Sequence, residues 1–241
     1  MNTSNSEEHK KIASFYNKVY YRNIPSMKRV SRHIKNLAKI LGIKKDQRVL
    51  DIGCGSGEWL SAVEQIGAIP YGTDISEKAI NNCKTRIPSG EFSVGVAENL
   101  QYDTDKFDLV TCLGSLEHFL DQEKALKEIV RVSKKDAFVL ILVPNSGFLT
   151  YKLGLYKGTN QASIRETIRS LDEWENMFNN AGLTVIKRWK DLHVFNLGWM
   201  IRKPWLLIPL RIIQATLLLI WPLSWQYQIY HLCRVRSQND K

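Results

Sequence analysis

The chain has 241 residues, and 34 Lys and Arg against 24 Asp and Glu give it a formal net charge of +10. That length accommodates one α/β domain with modest additions and buries a full core without staples. Hydrophobic residues at 44% and charged residues at 24% exclude wholesale disorder, collagen, coiled coil and a polytopic membrane protein.

The charge is unevenly placed. Residues 1–50 carry +9, residues 187–241 carry +7 and residues 51–186 carry −6. Basic ends of this kind suit nucleic acid, an anionic membrane surface, or nothing in particular. The four cysteines, at 54, 83, 112 and 233, form no CxxC pair, and three fall in apolar stretches, so buried free thiols are expected. The first residues, MNTSNSEEHKK, hold no apolar run before a cleavage site, so a signal peptide is not expected and a reduced, cytoplasmic compartment is.

In chain order, helical segments are predicted from Ile12 to Leu41, broken near Pro25 and ended by Gly42. A repeating pattern of short β-rich run, turn and helical run follows. Strands are predicted at Arg48–Ile52, Ala68–Ile75, Glu91–Ala97, Phe107–Leu113, Ala137–Val143 and Leu183–Trp189. Helices are predicted at Glu58–Ile66, Glu77–Arg86, Gln122–Val132 and Asp172–Ala181, with Ser76 and Asp172 placed as N-caps and Gly67 and Gly182 as stops. Such alternation gives an α/β fold, a doubly wound, mostly parallel sheet covered on both faces.

The rhythm ends in an apolar piece holding Pro204, Pro209 and Pro222, and five of the seven tryptophans lie between 189 and 225. A last strand, Ile229–Val235, is expected to return antiparallel at the sheet edge and to complete seven strands. The chain thus divides into an N-terminal helical cap (1–45), a core (46–194), an apolar, helical, Trp-rich insertion (195–227) and a last strand with its tail (228–241).

The strongest local signal is VLDIGCGSGEW at 49–59: an apolar strand, an acid, three glycines at alternate positions, then a helix. Gly53, Gly55 and Gly57 permit a tight turn that a ligand approaches without Cβ obstruction, beside the free N–H groups of a helix start. Asp51, before the first glycine, would repel a pyrophosphate and suits a cationic ligand. Asp74 ends the second strand, 21 residues after Gly53, where an acid reaches ribose hydroxyls. Ala97 and Glu98 end the third and are able to bracket a base.

These elements in this order resemble the class I S-adenosylmethionine-dependent methyltransferases over residues 45–190, which implies a Rossmann-like fold and S-adenosyl-L-methionine as cofactor. By that resemblance Asp51, Gly53, Gly55 and Gly57 hold the methionine part. Asp74 and Ile75 take the ribose and one adenine face, Ala97 and Glu98 the adenine edge, and Leu113 lies beside the sulfonium. The stretch FDLVTCLGSLEHF at 107–119 looks like the subgroup of ubiquinone-biosynthesis O-methyltransferases and related small-molecule enzymes. Some members bind a divalent cation through an ExxEH run. Here Glu117-His118 is present but the first position is Gly114, so no metal is expected. Tyr16, in FYNKVYY, matches an aromatic that closes over the cofactor in this subgroup.

Methyl transfer is an in-line displacement, so alignment provides much of the catalysis and a base completes it. His118 is the best-placed base, unless it only caps a helix or bonds Glu117; Glu117 orients, and His193 is a more distant candidate. No NPPY-like signature or RNA-binding pattern supports a nucleic-acid acceptor. Between Arg211 and Arg234 there is no charged residue, yet the convincing apolar core is only Leu217–Leu223, short of the roughly 20 residues that span a bilayer. Tryptophans beside Arg202, Lys203 and Arg211 fit an element lying among anionic headgroups, peripheral on the inner membrane face. The other reading is a cap over the site or a homodimer surface. Three functions follow: a membrane-associated methyltransferase for a hydroxyl of a lipid, isoprenoid or lipid-linked sugar; a soluble enzyme for a small metabolite or sugar; or an inactive cofactor-binding scaffold.

Overall fold

A computed structural model describes residues 3–22, 29–154, 166–193, 201 and 203–236. Pro25, Arg202 and residues 195–200 of the insertion lie outside the described residues. Helices are α1 (Thr3–Phe15), α2 (Arg32–Leu41), α3 (Glu58–Ile66), α4 (Glu77–Arg86), α5 (Gln122–Val132), α6 (Leu149–Lys152), α7 (Leu171–Ala181) and α8 (Ile208–Ile220). Strands are β1 (Arg48–Ile52), β2 (Ile69–Asp74), β3 (Glu91–Val94), β4 (Phe107–Leu113), β5 (Ser133–Pro144), β6 (Leu183–Lys190) and β7 (Gln228–Val235).

The seven strands form one sheet in the order β3-β2-β1-β4-β5-β7-β6. Neighbours from β3 to β5 are parallel, and β7 is antiparallel to both β5 and β6. Apolar runs such as Val49–Ile52 are buried on both faces because helices cover both. One face packs Leu126 and Ile129 of α5 and Trp174 and Phe178 of α7. The other packs Leu37 of α2, Leu60 and Val63 of α3, and Ile80 of α4. The chain leaves β1 toward β2 on one side and continues to β4 on the other, so a crevice opens at the carboxyl ends of β1 and β4.

Four local differences from the predicted elements have visible causes. β3 stops at Val94, not Ala97, because Gly95 N–H donates to Asp74 O (3.0 Å) and Asn99 N–H then turns back to Val96 O (3.2 Å). Ala97 and Glu98 therefore lie in a turn beyond the strand. β5 starts at Ser133 instead of Ala137, where Lys134 Nζ bonds Asp108 Oδ1 at 2.6 Å and draws the strand onto β4. The cap of α7 is Ser170, not Asp172: Ser170 Oγ accepts from Glu173 N–H while the Glu173 carboxylate accepts from Ser170 N–H, a reciprocal capping box. Finally, β7 sits between β5 and β6 and leaves β6 at the edge. Its apolar residues Ile229, Tyr230 and Cys233 are all buried there.

All four cysteines are free and buried. No described helix is long and apolar enough to cross a membrane.

Candidate active site

The glycine turn after β1 forms the floor of the crevice. Gly53 N–H and Cys54 N–H both donate to Thr73 O, at 2.8 and 3.1 Å, which pins the turn to the end of β2. Gly53 has φ +70°, and a Cβ there would lie 2.4 Å from Ser115 Oγ. Only glycine fits that backbone and that approach.

A cavity of about 410 Å³ opens over this turn, within the range of about 300–1,000 Å³ typical of small-molecule sites. Its wall includes Tyr16, Asp51, Gly53, Gly55, Asp74, Ile75, Ala97, Glu98, Leu113 and His118, residues drawn from six separate stretches of sequence. Gly57 is the one glycine of the motif that does not line it. It adopts φ +75° as the N-cap of α3, and a Cβ there would meet Cys83 Sγ at 2.9 Å, so its place is in helix packing.

Each acid is held differently. Asp51 is buried, and Thr111 Oγ1 donates to its Oδ1 at 2.6 Å. Burial pushes its carboxyl up to about 7, the Thr111 bond opposes this, and the charge of Asp74 adds to it. Asp74 accepts Gly55 N–H on Oδ2 (2.9 Å) and Ser76 N–H on Oδ1 (2.8 Å), so it braces the glycine turn and the start of α4. Each oxygen keeps a second lone pair for a ligand. Burial raises its carboxyl as well. Glu98 Oε1 accepts from Leu120 N–H (3.0 Å) and Asp121 N–H (3.2 Å), and its Oε2 lies 3.6 Å from His9 Nε2.

His118 ends the single 3₁₀ turn Leu116–His118 that follows β4, with its N–H on Ser115 O at 3.0 Å. It is buried in the cavity wall. Glu117 faces elsewhere: it is buried, does not line the cavity, and burial pushes its carboxyl up to about 8. Among the described residues no group of three or more His, Cys, Asp and Glu converges as metal ligands would. His193 does not line the cavity either. Its Nδ1 lies 2.6 Å from Asp191 Oδ2 beyond the end of β6.

The roof comes from the N-terminal segment. Tyr16 opens a π-helical turn, Tyr16–Tyr20, and its ring meets Tyr20 edge-on at 5.5 Å and Tyr21 at 6.1 Å. Asn17 Oδ1 ties this turn to α4 by accepting from Ser76 Oγ (2.7 Å) and Lys78 N–H (3.1 Å). Burial, reinforced by Asp74, keeps the Tyr16 and Tyr21 hydroxyls protonated. Sequence reasoning missed Tyr20 and Tyr21, although FYNKVYY carries all three rings. It also missed Ser56 and Trp59, although both lie inside the 49–59 motif, and His9 and Ile34, which no local pattern marks. Two polar atoms of this wall, Ser56 Oγ and Trp59 Nε1, are buried without a hydrogen-bond partner, while His9 Nε2 has only the Glu98 carboxylate at 3.6 Å. Orphaned polar groups are costly and rare in folded proteins, so a cavity lined by two of them is shaped for a polar ligand.

Comparisons with known proteins agree with this geometry. A family model described as a methyltransferase domain matches residues 21–188. A protein named uncharacterized methyltransferase YcgJ from Bacillus subtilis is 29% identical over 164 residues, 64% of each chain. The ubiquinone biosynthesis O-methyltransferase of Coxiella burnetii is 31% identical over 111 residues, 44% of this chain and 47% of that one. The chain thus spans less than two thirds of these curated relatives. The solved YcgJ structure superposes with a TM-score of 0.55 at 22% identity, covering 84% of this chain and 95% of its own. The Haemonchus contortus phosphoethanolamine N-methyltransferase 2, in complex with S-adenosyl-L-methionine, gives 0.62 at 17% identity over 94% of this chain and 60% of its own. At such identities these structures speak for the fold, and the sequence match speaks for descent. The chain belongs to the class I S-adenosylmethionine-dependent methyltransferase family.

Proposed function

We propose that this protein transfers a methyl group from S-adenosylmethionine to a hydroxyl of a lipid, isoprenoid or lipid-linked sugar met at a membrane surface. The observation that carries the reading is the cavity: three buried acids, two unpartnered polar atoms and two histidines converge on a space of small-molecule size. The sulfonium, when bound, supplies an activated methyl and a good leaving group. Asp51 offers the anion that a cationic ligand needs, and Asp74 offers acceptors for hydroxyl donors. Ser56 Oγ and Trp59 Nε1 stand at the start of α3, where free N–H groups favour a carboxylate. Tyr16, Tyr20 and Tyr21 exclude water above it. His118 receives the proton that the acceptor hydroxyl gives up as its oxygen forms the new bond to carbon.

The lipid part of the reading rests on the exposed apolar residues of α8; the chain after that helix joins the sheet at Gln228, whose Nε2 would lie 3.5 Å from a Cβ on Gly114 of the cavity wall. Calorimetry tests the cofactor: Asp51→Ala is expected to abolish S-adenosylmethionine binding, and near-normal affinity overturns the reading. Transfer of labelled methyl into a membrane lipid extract tests the acceptor, with the mass of the product giving its class. Cofactor binding with label entering only water-soluble products favours the soluble enzyme instead. His118→Ala is expected to lower that transfer at least about a hundredfold while cofactor affinity holds.

A further inference from the structure

Of the thirteen residues of α8 only Ala215 is buried. Leu206, in the 3₁₀ turn before the helix, is 93% exposed, and Trp205, Leu210, Ile213 and Ile220 are exposed with it. Clustered apolar exposure of this kind marks an interaction surface. From residue 192 to 239 the sequence contains no Asp or Glu, while Lys203 and Arg211 flank the apolar residues. A second copy of this face would bring those cations against themselves. An anionic headgroup layer would attract them. A helix of thirteen residues is about 20 Å long against a hydrocarbon core of about 30 Å, so it lies in the interface and does not cross.

The attachment of α8 leads back to the cavity. Lys190 Nζ, at the end of β6, donates to the carbonyls of Leu218 (3.1 Å), Leu219 (2.9 Å) and Trp221 and so closes the carboxyl end of the helix. The next residue, Asp191, holds His33 of α2: its Oδ1 lies 3.2 Å from His33 Nε2, which also meets Tyr230 Oη at 3.0 Å. Ile34, beside His33, lines the cavity. Two consecutive residues thus fasten the apolar helix on one side and the cavity wall on the other.

We propose that the apolar face of Trp205–Leu207 and α8 docks on an anionic bilayer, and that Lys190 and Asp191 couple this docking to the α2 wall of the cavity. The coupling rests on the function proposed above, because S-adenosylmethionine affinity is its readout; the docking does not.

The test floats the full chain on phosphatidylglycerol–phosphatidylcholine vesicles and on phosphatidylcholine alone, and measures S-adenosylmethionine affinity by calorimetry with and without the vesicles. Flotation is expected on the anionic vesicles only, with about fivefold tighter cofactor binding there. The double variant Leu206→Glu, Leu210→Glu is expected to stay in solution with its cofactor affinity unchanged. Lys190→Met is expected to float and to lose the lipid-dependent gain. Absence of flotation, or equal flotation on neutral vesicles, overturns the docking. So does a dimer in sedimentation that the double variant dissolves without vesicle binding. Equal cofactor affinity with and without vesicles, or a gain that survives Lys190→Met, overturns the coupling. Absence of cofactor binding under every condition refutes the proposed function, while flotation still decides the docking.

Discussion

Thr111 Oγ1 donates to Asp51 Oδ1 at 2.6 Å, so one neighbouring strand steadies the acid that burial works to protonate. The carboxyl of Asp51 rises to about 7 in the fold, against about 4 in an unfolded chain. The folded state therefore holds the proton more tightly, and the contribution of Asp51 to stability falls as pH rises from about 4 to about 7, then levels. Affinity for a cationic ligand runs the other way. S-adenosylmethionine binding is expected to strengthen as pH rises through about 7, and calorimetry across pH 5.5–8.5 would read it. Thr111→Val is expected to move that rise to higher pH, and Asp51→Asn to flatten it.

Asp191 shows the opposite balance. Burial alone would raise its carboxyl, but the His193 and His33 imidazoles outweigh burial and hold it well below the usual carboxylate range. Its stabilising contribution is present above the unfolded carboxylate value and is lost as pH falls through the depressed folded one. The bond to Asp191 raises His193, whose contribution is complete below its ordinary value and is lost as pH rises through the raised one. Asp191→Asn is expected to cost about 2 kcal/mol near pH 6, the scale of charge-assisted hydrogen bonds to a buried group, with a smaller loss at pH 9. Urea denaturation at the two pH values measures this, and an equal cost at both contradicts the assignment.

The glycine motif separates into two tasks. Gly53→Ala puts a methyl 2.4 Å from Ser115 Oγ at φ +70° on the cavity floor. Gly57→Ala puts one 2.9 Å from Cys83 Sγ at φ +75°, away from the cavity. Left-handed backbone alone costs a non-glycine residue about 1–2 kcal/mol. Both variants are expected to lower the melting temperature. Only Gly53→Ala is expected to lose more than about tenfold in cofactor affinity once binding is measured on the folded fraction. Equal affinity losses would return Gly57 to the site.

Much of this was legible in the residues. Mostly apolar runs mark their strands: Val49–Ile52 is buried throughout, and Phe107–Leu113 is buried except at Asp108 and Leu113, which are half-buried. Glycines at 42, 67 and 182 adopt left-handed backbone at helix ends, as their sequence positions implied. What escaped depended on partners distant in the chain. β7 enters between β5 and β6 through ladders with residues about ninety and about forty to fifty positions earlier, which no local pattern encodes. Ala97 and Glu98 kept their place on the cavity wall although β3 ends before them, because the wall is set by the turn and not by the strand. His9 and Ile34 reach the cavity only once α1 and α2 fold across it.

Ser56 Oγ and Trp59 Nε1 offer the most direct test of what the cavity awaits. Both are buried without hydrogen-bond partners, so their removal breaks no hydrogen bond within the protein. Ser56→Ala takes away only the polar atom, whereas Trp59→Phe takes it away together with part of a ring packed in the core. Replacing an unsatisfied buried polar group by an apolar one of similar shape is neutral or mildly stabilising. Ser56→Ala is therefore not expected to lower the melting temperature of the ligand-free protein, whereas Trp59→Phe is expected to lower it through lost packing. A hydrogen bond to ligand is worth about 1 kcal/mol, or more where the ligand group is charged, so each is expected to weaken S-adenosylmethionine binding about five- to tenfold. Calorimetry beside thermal melting separates the two effects. Unchanged affinity in both variants would mean that these atoms face a different ligand, whereas a loss of stability in ligand-free Ser56→Ala would mean that its hydroxyl has a partner in the fold.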